Sequence, residues 1–298
     1  MNQAGSRPAA TAFVPGHITG FFSAHPAPEP AHAGSSGAGI TLSDGVTVTV
    51  SRGSGTRLNG ESVTVTPVDS VVDQLGVEAA VDGETPLPLG AGFGVSGAMA
   101  LGTALAANAA FDCELTENEL IEIAHCAEVE AGTGLGDVVA QARGGLPIRL
   151  APGAPGHGVL DGLAARPRIE YVSFGELSTE SVLSGDTTRL STAGEAALDR
   201  LLAEPTVAQF LEASRAFAAD AGLLTDDVRD AIAAVEQAGG QAAMAMLGRT
   251  VFATGTGLSD AGYEPQVCRT DAAGGRLVDS GDCVTDTDST VDTEKRTF

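Results

Sequence analysis

The chain has 298 residues, enough for two domains, and 43% of them are hydrophobic, which suffices for a core. It carries 39 acidic against 16 basic residues, with Lys295 the single lysine, and so lacks the basic patches that nucleic acids and anionic membranes need as partners. Its apolar runs fall short of the ~18 residues of a membrane span, and the opening MNQAGSRPAATAF does not read as a signal peptide. An acidic surface nearly free of lysine reads as adaptation to a salt-rich cytoplasm, where a Debye length of ~3 Å at 1 M screens self-repulsion. The cysteines at 113, 126, 268 and 283 form no CxxC and no zinc-like cluster, so reduced cytoplasmic thiols are expected.

In chain order, TAFVPGHITGFF (11–22) reads as a strand, a turn and a second strand. Residues 23–37, rich in Pro, Ala, Gly and Ser, read as a loop. GITLSDGVTVTVSRG alternates polar with β-branched residues around Asp44-Gly45, the pattern of a hairpin, and ESVTVTPV adds a strand. Residues 94–110 are small or apolar on nearly every side, which predicts a buried helix. Thr116 and Glu119 form a capping box before the helix ENELIEIAHCAEVEA. GLPIRLAPG predicts a strand, and residues 155–168 a domain boundary, dividing the chain into 1–165 and 166–283 with a disordered tail at 284–298. In the second half IEYVSF is a strand, helices follow at about 193–203, 206–220 and 226–238, and AAMAMLGRTVFATG is a helix end or turn and then a strand. Strands and helices in blocks indicate α+β rather than alternating βαβ.

The segment PLGAGFGVSGAMALGTALAAN (88–108) raises a chemical question, because an uncharged glycine loop runs straight into an alanine-rich helix. A Walker A loop needs Gly-Lys-Ser/Thr, which this chain does not have. Gly92, Gly94 and Gly97 fit the GxGxxG spacing of dinucleotide folds, but the preceding GETPLPLG holds two prolines where that fold needs a buried parallel strand. A third design wraps phosphates with backbone N–H groups at a helix N-terminus, where the macrodipole favours anions. Ser96, at the helix start, can then offer its hydroxyl to phosphate or Mg²⁺. A tight turn leading to a closely packed helix is the plain alternative.

PLGAGFGVSGA resembles the central motif of the GHMP kinases, Pro-x-Gly-x-Gly-Leu-Gly-Ser-Ser-Ala, with Phe93 for Leu, Val95 for the first Ser and Gly97 for Ala. FVPGHITGFF (13–22) stands where that family keeps its N-terminal substrate motif, and AHCAEVEAGTGLGDVVAQARGGLPIR (124–149) where it keeps a Mg²⁺ ligand and a catalytic Asp. With AMLGRTVFA (245–253), which departs from the family's glycine-rich third motif, these segments resemble the archaeal members that phosphorylate pantoate in coenzyme A synthesis. The resemblance implies ATP, Mg²⁺ and pantoate as cofactors and substrates, a homodimer, and a two-domain α+β fold. In that fold a domain like the second domain of ribosomal protein S5 packs on a ferredoxin-like C-terminal domain. It places nucleotide contacts at Pro88, Gly90, Gly92, Gly94, Val95, Ser96 and Gly97.

Glu128 and Glu130 compete as metal ligands. On a helical wheel Glu128 lies at the edge of the apolar face set by Leu120, Ala124 and Ala127, where an acid costs free energy unless it is paired or bound to a cation, while Glu130 faces solvent; the resemblance also favours Glu128 and implies Ser96 and Glu128 as the metal set. Asp137 aligns with the family's catalytic Asp, although a helix N-cap would also suit it. Arg149, isolated in an apolar strand, needs an anion, either the carboxylate of pantoate or a structural acid. His125 aligns with a substrate-binding His, against the reading of a packed core histidine; Ser23 and Thr179 are further substrate positions by resemblance, and His17 has no assigned role. Two rival readings stay open: a GHMP kinase acting on mevalonate or homoserine, and a non-catalytic nucleotide-binding member.

Overall fold

The structure, a computed structural model, describes residues 9–176, 188–246 and 248–279. Thr179, Cys283 and the expected tail lie outside the described residues.

Two long strands, β1 (Ala10–His25) and β2 (Gly34–Arg52), pair antiparallel at the centre of an eight-stranded sheet. The expected strand-turn-strand at Pro15-Gly16 is one strand, with register shifts between Pro15 and His17 and between Thr19 and Phe21. The expected hairpin at Asp44-Gly45 is overturned as well, since β2 runs through it. Gly45 serves close packing there, because a Cβ would lie 2.7 Å from Cζ of Phe13. Both Gly-containing dipeptides resemble turns locally, yet long-range pairing of two β-branched strands absorbs them as bulges. The loop expected at 23–37 is correspondingly confined to residues 26–33 between the two strands.

β3 (Thr56–Leu58) and β4 (Glu61–Val63) are short. The rest of the expected strand ESVTVTPV opens a helix, α1 (Thr66–Leu75), started by Pro67 and ended by Gly76 at φ 65°. β5 (Ala79–Glu84) pairs β2 antiparallel and β3 parallel. The predicted buried helix is α2 (Val95–Phe111), packed on β1 and β2. α3 (Glu117–Ala131) begins with the predicted capping box. α4 (Asp137–Arg143) leads into β6 (Leu146–Ala151), the predicted strand, which pairs β2 and β7 (Val159–Leu163).

The second sheet has the order β11-β8-β10-β9, from β8 (Arg168–Glu176), β9 (Ala242–Ala245), β10 (Gly248–Thr254) and β11 (Gln266–Arg269). β10 lies antiparallel between β8 and β9, a split βαβ arrangement, which is the ferredoxin-like topology expected. AAMA is strand rather than the expected helix end. Helices α5 (Thr188–Ala203), α6 (Val207–Asp220) and α7 (Asp226–Gln237) follow their predicted positions, and a short α8 (Gly257–Asp260) precedes β11. The chain then returns to the first sheet, where β12 (Arg276–Val278) pairs β1.

The cores divide accordingly. One lies between α1, α2, α3 and the first sheet; the other runs from Ile18, Phe21 and Phe22 of β1 through α5–α7 to the second sheet. The sheets meet where the Met246 amide donates to the Thr19 carbonyl at 2.9 Å and the Phe93 ring packs on Tyr171 with centroids 4.8 Å apart. The glycine loop therefore sits at the junction of both cores.

Candidate active site

The loop before α2 is built on three alternating glycines in the left-handed region: Gly90 at φ 67°, Gly92 at 89° and Gly94 at 63°. Residues with a Cβ rarely adopt this conformation. The carbonyls of Ala91, Phe93 and Gly94 are each taken by a distant donor, the Thr250 hydroxyl, the His17 amide and the Gln141 side-chain amide, all at 2.9 Å. Gly248 packs directly on the Ala91 carbonyl, so the departed third motif braces the loop through its backbone. With its carbonyls turned to protein and no side-chain cap on α2, the loop offers backbone N–H groups at a helix N-terminus.

Below it, α3 and α4 bring two carboxylates together. Glu128 is 2% exposed, and Oε2 accepts a 3.3 Å hydrogen bond from the Ser96 hydroxyl. Burial, joined by repulsion from Asp137, pushes its carboxyl up to about 7. Gly134 lies between the two acids, where a Cβ would sit against Glu128 Oε2 and 3.5 Å from Asp137 Oδ2. Asp137 keeps a quarter of its side chain exposed (25%). Burial alone would raise its carboxyl, but the hydrogen bond from His17 and the charge of Arg149 hold it below the usual carboxylate range. His17 Nδ1 donates to Asp137 Oδ1 at 2.7 Å, and the Thr19 hydroxyl donates to the same oxygen at 3.5 Å.

Arg149 is 2% exposed; its Nε donates to the Ser35 carbonyl at 3.3 Å. Burial works against its charge and the Asp137 carboxylate supports it. Gly136 lies flat on this guanidinium, since a Cβ there would be 2.7 Å from Nε. Loop, helix start, Asp137 and Arg149 all line one cavity of about 640 Å³, together with the apolar Leu58, Val65, Leu89 and Met99.

Among the described residues, five buried side-chain atoms have no hydrogen-bond partner, and four of them cluster here: His17 Nε2, Glu128 Oε1, Gln141 Oε1 and Arg149 Nη1. Such groups cost free energy unless something pairs them. Ser96 and Glu128, with the room that Gly134 leaves, suit a small hard cation.

The structure gathers Gly90, Gly92, Gly94, Val95, Ser96, Asp137 and Arg149 around the cavity, with Glu128 one layer behind Ser96. Three expected contacts turn elsewhere. The His125 Nε2 donates to the Ala33 carbonyl at 3.0 Å, the satisfied core histidine of the alternative reading. Ser23 donates to the Ser191 carbonyl at 2.9 Å under α5, and Gly97 packs against Val138 and Gln141. Pro88 precedes the lining residues, while Thr179 is outside the described ones. The sequence reading missed Thr19, Ser35, Gln141 and Thr250; GHIT held a cue, since His17 and Thr19 alternate on one face of a strand.

Known proteins with the same pattern fit this geometry. A sequence model described as the GHMP kinases N terminal domain matches residues 66–145, which run from α1 through the glycine loop to the end of α4. A pantoate kinase from Thermococcus kodakarensis is 38% identical over 261 residues, 81% of this chain and 86% of that protein. One from Methanocaldococcus jannaschii is 36% identical, covering 80% and 90%. The chain belongs to the pantoate kinases, within the GHMP kinase family. A solved structure described as a phosphotransferase related to the coenzyme A biosynthesis pathway superposes with a TM-score of 0.82 at 31% identity, over 91% of this chain and 99% of that one. A homoserine kinase from Cytophaga hutchinsonii shares the fold at a TM-score of 0.66 and 16% identity, over 93% and 99%. The α+β fold of pantoate kinases is thus that of the wider family, and the described residues include no helix long and apolar enough to cross a membrane.

Proposed function

We propose that the protein transfers the γ-phosphoryl group of ATP to the terminal hydroxyl of pantoate, giving 4-phosphopantoate and ADP for coenzyme A synthesis. The pantoate kinase relatives support the reaction. The observation that carries the site is one cavity lined together by the phosphate-type glycine loop, Asp137 and Arg149, whose buried Nη1 has no partner among the described residues.

In this reading the triphosphate lies on Gly90–Gly97, and the apolar lining of Leu58, Val65 and Met99 takes the nucleoside. The pantoate carboxylate pairs with the unpartnered Nη1 of Arg149, which orients the hydroxyl toward Asp137. The hydroxyl oxygen forms a bond to the γ-phosphorus as the bond to the ADP oxygen breaks, and the proton passes to Asp137 Oδ2. Asp137 is ionised at neutral pH and thus ready to accept. Its weak basicity suffices, because a loose phosphoryl-transfer transition state demands little proton removal before bond cleavage. Ser96 and Glu128 would hold Mg²⁺, which when bound neutralises charge on the phosphate oxygens. His125 and Ser23 act through position: His125 fixes the Ala33 carbonyl beside Gly34 and Ser35, and Ser23 anchors α5. Substrate contact by Thr179, a homodimer, domains divided at 165, and a cytoplasm of high salt complete the proposal.

The test is ADP release in high KCl with Mg²⁺, ATP and, separately, pantoate, mevalonate, homoserine or no acceptor. ADP with pantoate alone is expected. ADP with another alcohol reassigns the pocket, and ATP binding without ADP in a folded protein overturns the catalytic reading.

A further inference from the structure

His17 stands out as a fully buried titratable side chain to which the proposed reaction assigns no role. It is 0% exposed on β1, and its side chain reaches across to α4, where Nδ1 lies 2.7 Å from Asp137 Oδ1. Gly39 on the neighbouring β2 leaves the space for the ring, as any Cβ there would collide with Nε2. Nε2 has no hydrogen-bond partner. A protonated imidazole would strand a buried N⁺–H at that atom, whereas a neutral ring strands only a lone pair. The tautomer with hydrogen on Nδ1 is therefore the one that fits, and it makes Nδ1 the donor to Asp137. The charged or titratable groups facing this pair are Arg149 from β6 and Glu128 from α3. Burial keeps the imidazole below its usual range, opposed by the Asp137 bond.

The two oxygens of Asp137 thus have different surroundings. Oδ1 is held by His17 and Thr19, while Oδ2 faces the gap at Gly134. We propose that His17 is a positioning residue: its neutral Nδ1–H fixes the Asp137 carboxylate so that Oδ2 alone is presented to the acceptor hydroxyl. The His17 amide also holds the Phe93 carbonyl at 2.9 Å, so one residue of β1 sets both the base and the phosphate loop in register. The backbone bond survives any side-chain substitution, which separates the two roles experimentally. This inference rests on the proposed role of Asp137 as proton acceptor.

The experiment compares wild type, His17→Leu and His17→Asn in the ADP-release assay, with melting temperature and ATP affinity measured on the same preparations. Leu fills the volume without a donor; Asn places an amide N–H near the position of Nδ1. Expected are a fall in kcat of roughly 10- to 100-fold for His17→Leu with the KM for ATP within about threefold of wild type, and recovery of most of it in His17→Asn. The acid limb of the kcat profile should move to higher pH in His17→Leu alone, since Asp137 loses its donor. Equal kcat in wild type and His17→Leu overturns the assignment. So does a loss that Asn fails to recover while both variants melt like wild type. An inactive wild type instead defeats the proposed function and is distinguished by that control.

Discussion

Glu128→Gln tests the cost of keeping an acid behind the phosphate loop. The carboxyl is 2% exposed, and burial with repulsion from Asp137 raises it from an ordinary 4.5 to about 7. Between those values the native state holds a proton that the unfolded chain has lost, so stability falls as pH rises through the window. The penalty is fully in force above pH 7 and absent well below 4.5. A shift of that size is worth about 3 kcal/mol at pH 8 and under about 1 kcal/mol at pH 5. Gln keeps the shape without the charge, and any cost of burying its amide does not vary with pH. Urea denaturation in EDTA at pH 5 and pH 8 should therefore show the stability of Glu128→Gln, relative to wild type, improving by about 2.5 kcal/mol between the two. The same variant should lose Mg²⁺-dependent turnover. A stability difference that does not move with pH would refute the reasoning, because the carboxylate would then not be a buried charge awaiting a cation.

Gly92→Ala forces a Cβ into φ 89° and to 2.7 Å from the Met246 carbonyl. A left-handed strain of about 1–2 kcal/mol, relieved by loop displacement, should weaken ATP binding roughly 5- to 30-fold by calorimetry. Unchanged affinity would show that the loop does not hold the triphosphate. Asp137→Asn should lower kcat by about 10²- to 10⁴-fold while leaving ATP affinity near wild type; full turnover would remove it as proton acceptor. With a net charge of −23, the melting temperature should climb as KCl rises from 0.1 to 2 M. A flat scanning-calorimetry profile would contradict the salt adaptation.

The sequence exposed those features whose cause is local. The buried α2 was legible because a helix without charge or bulk has no solvent face, and the capping box at Thr116 and Glu119 is a three-residue motif. The burial of Glu128 follows from its place on a helical wheel, which needs only the periodicity. Misreadings arose where pairing across the chain overrode local chemistry. Asp44-Gly45 carries hairpin residues but is absorbed beside a bulge in the pairing of β2 with β1, and Thr66-Pro67 was hidden behind β-branched neighbours. The donors that shape the loop were illegible for the same reason: Gln141 reaches a carbonyl 47 residues away and Thr250 one 159 residues away. His125 and Ser23 lie in the right segments, yet side-chain direction, which sequence does not carry, turns them to the Ala33 and Ser191 carbonyls.

A protein of charge −23 that binds a triphosphate and a carboxylate has to arrange a local field opposed to its own. Among the described residues, Arg149 is the sole cation that lines the cavity. It sits beside Asp137. Along the loop the field comes from uncharged parts, the amides of a loop whose carbonyls are pinned inward and the uncapped start of α2. Glu128 completes the scheme by being protonated part of the time near neutral pH, so the repulsion it would exert on an arriving phosphate is reduced. In the proposed reading Glu128 would be a ligand to a cation bound with the phosphate, and its deprotonation would accompany that binding. The acidity of the surface and the neutrality of the loop are compatible in strong salt, because surface charges farther from the cavity than the Debye length of ~3 Å at 1 M are screened from it.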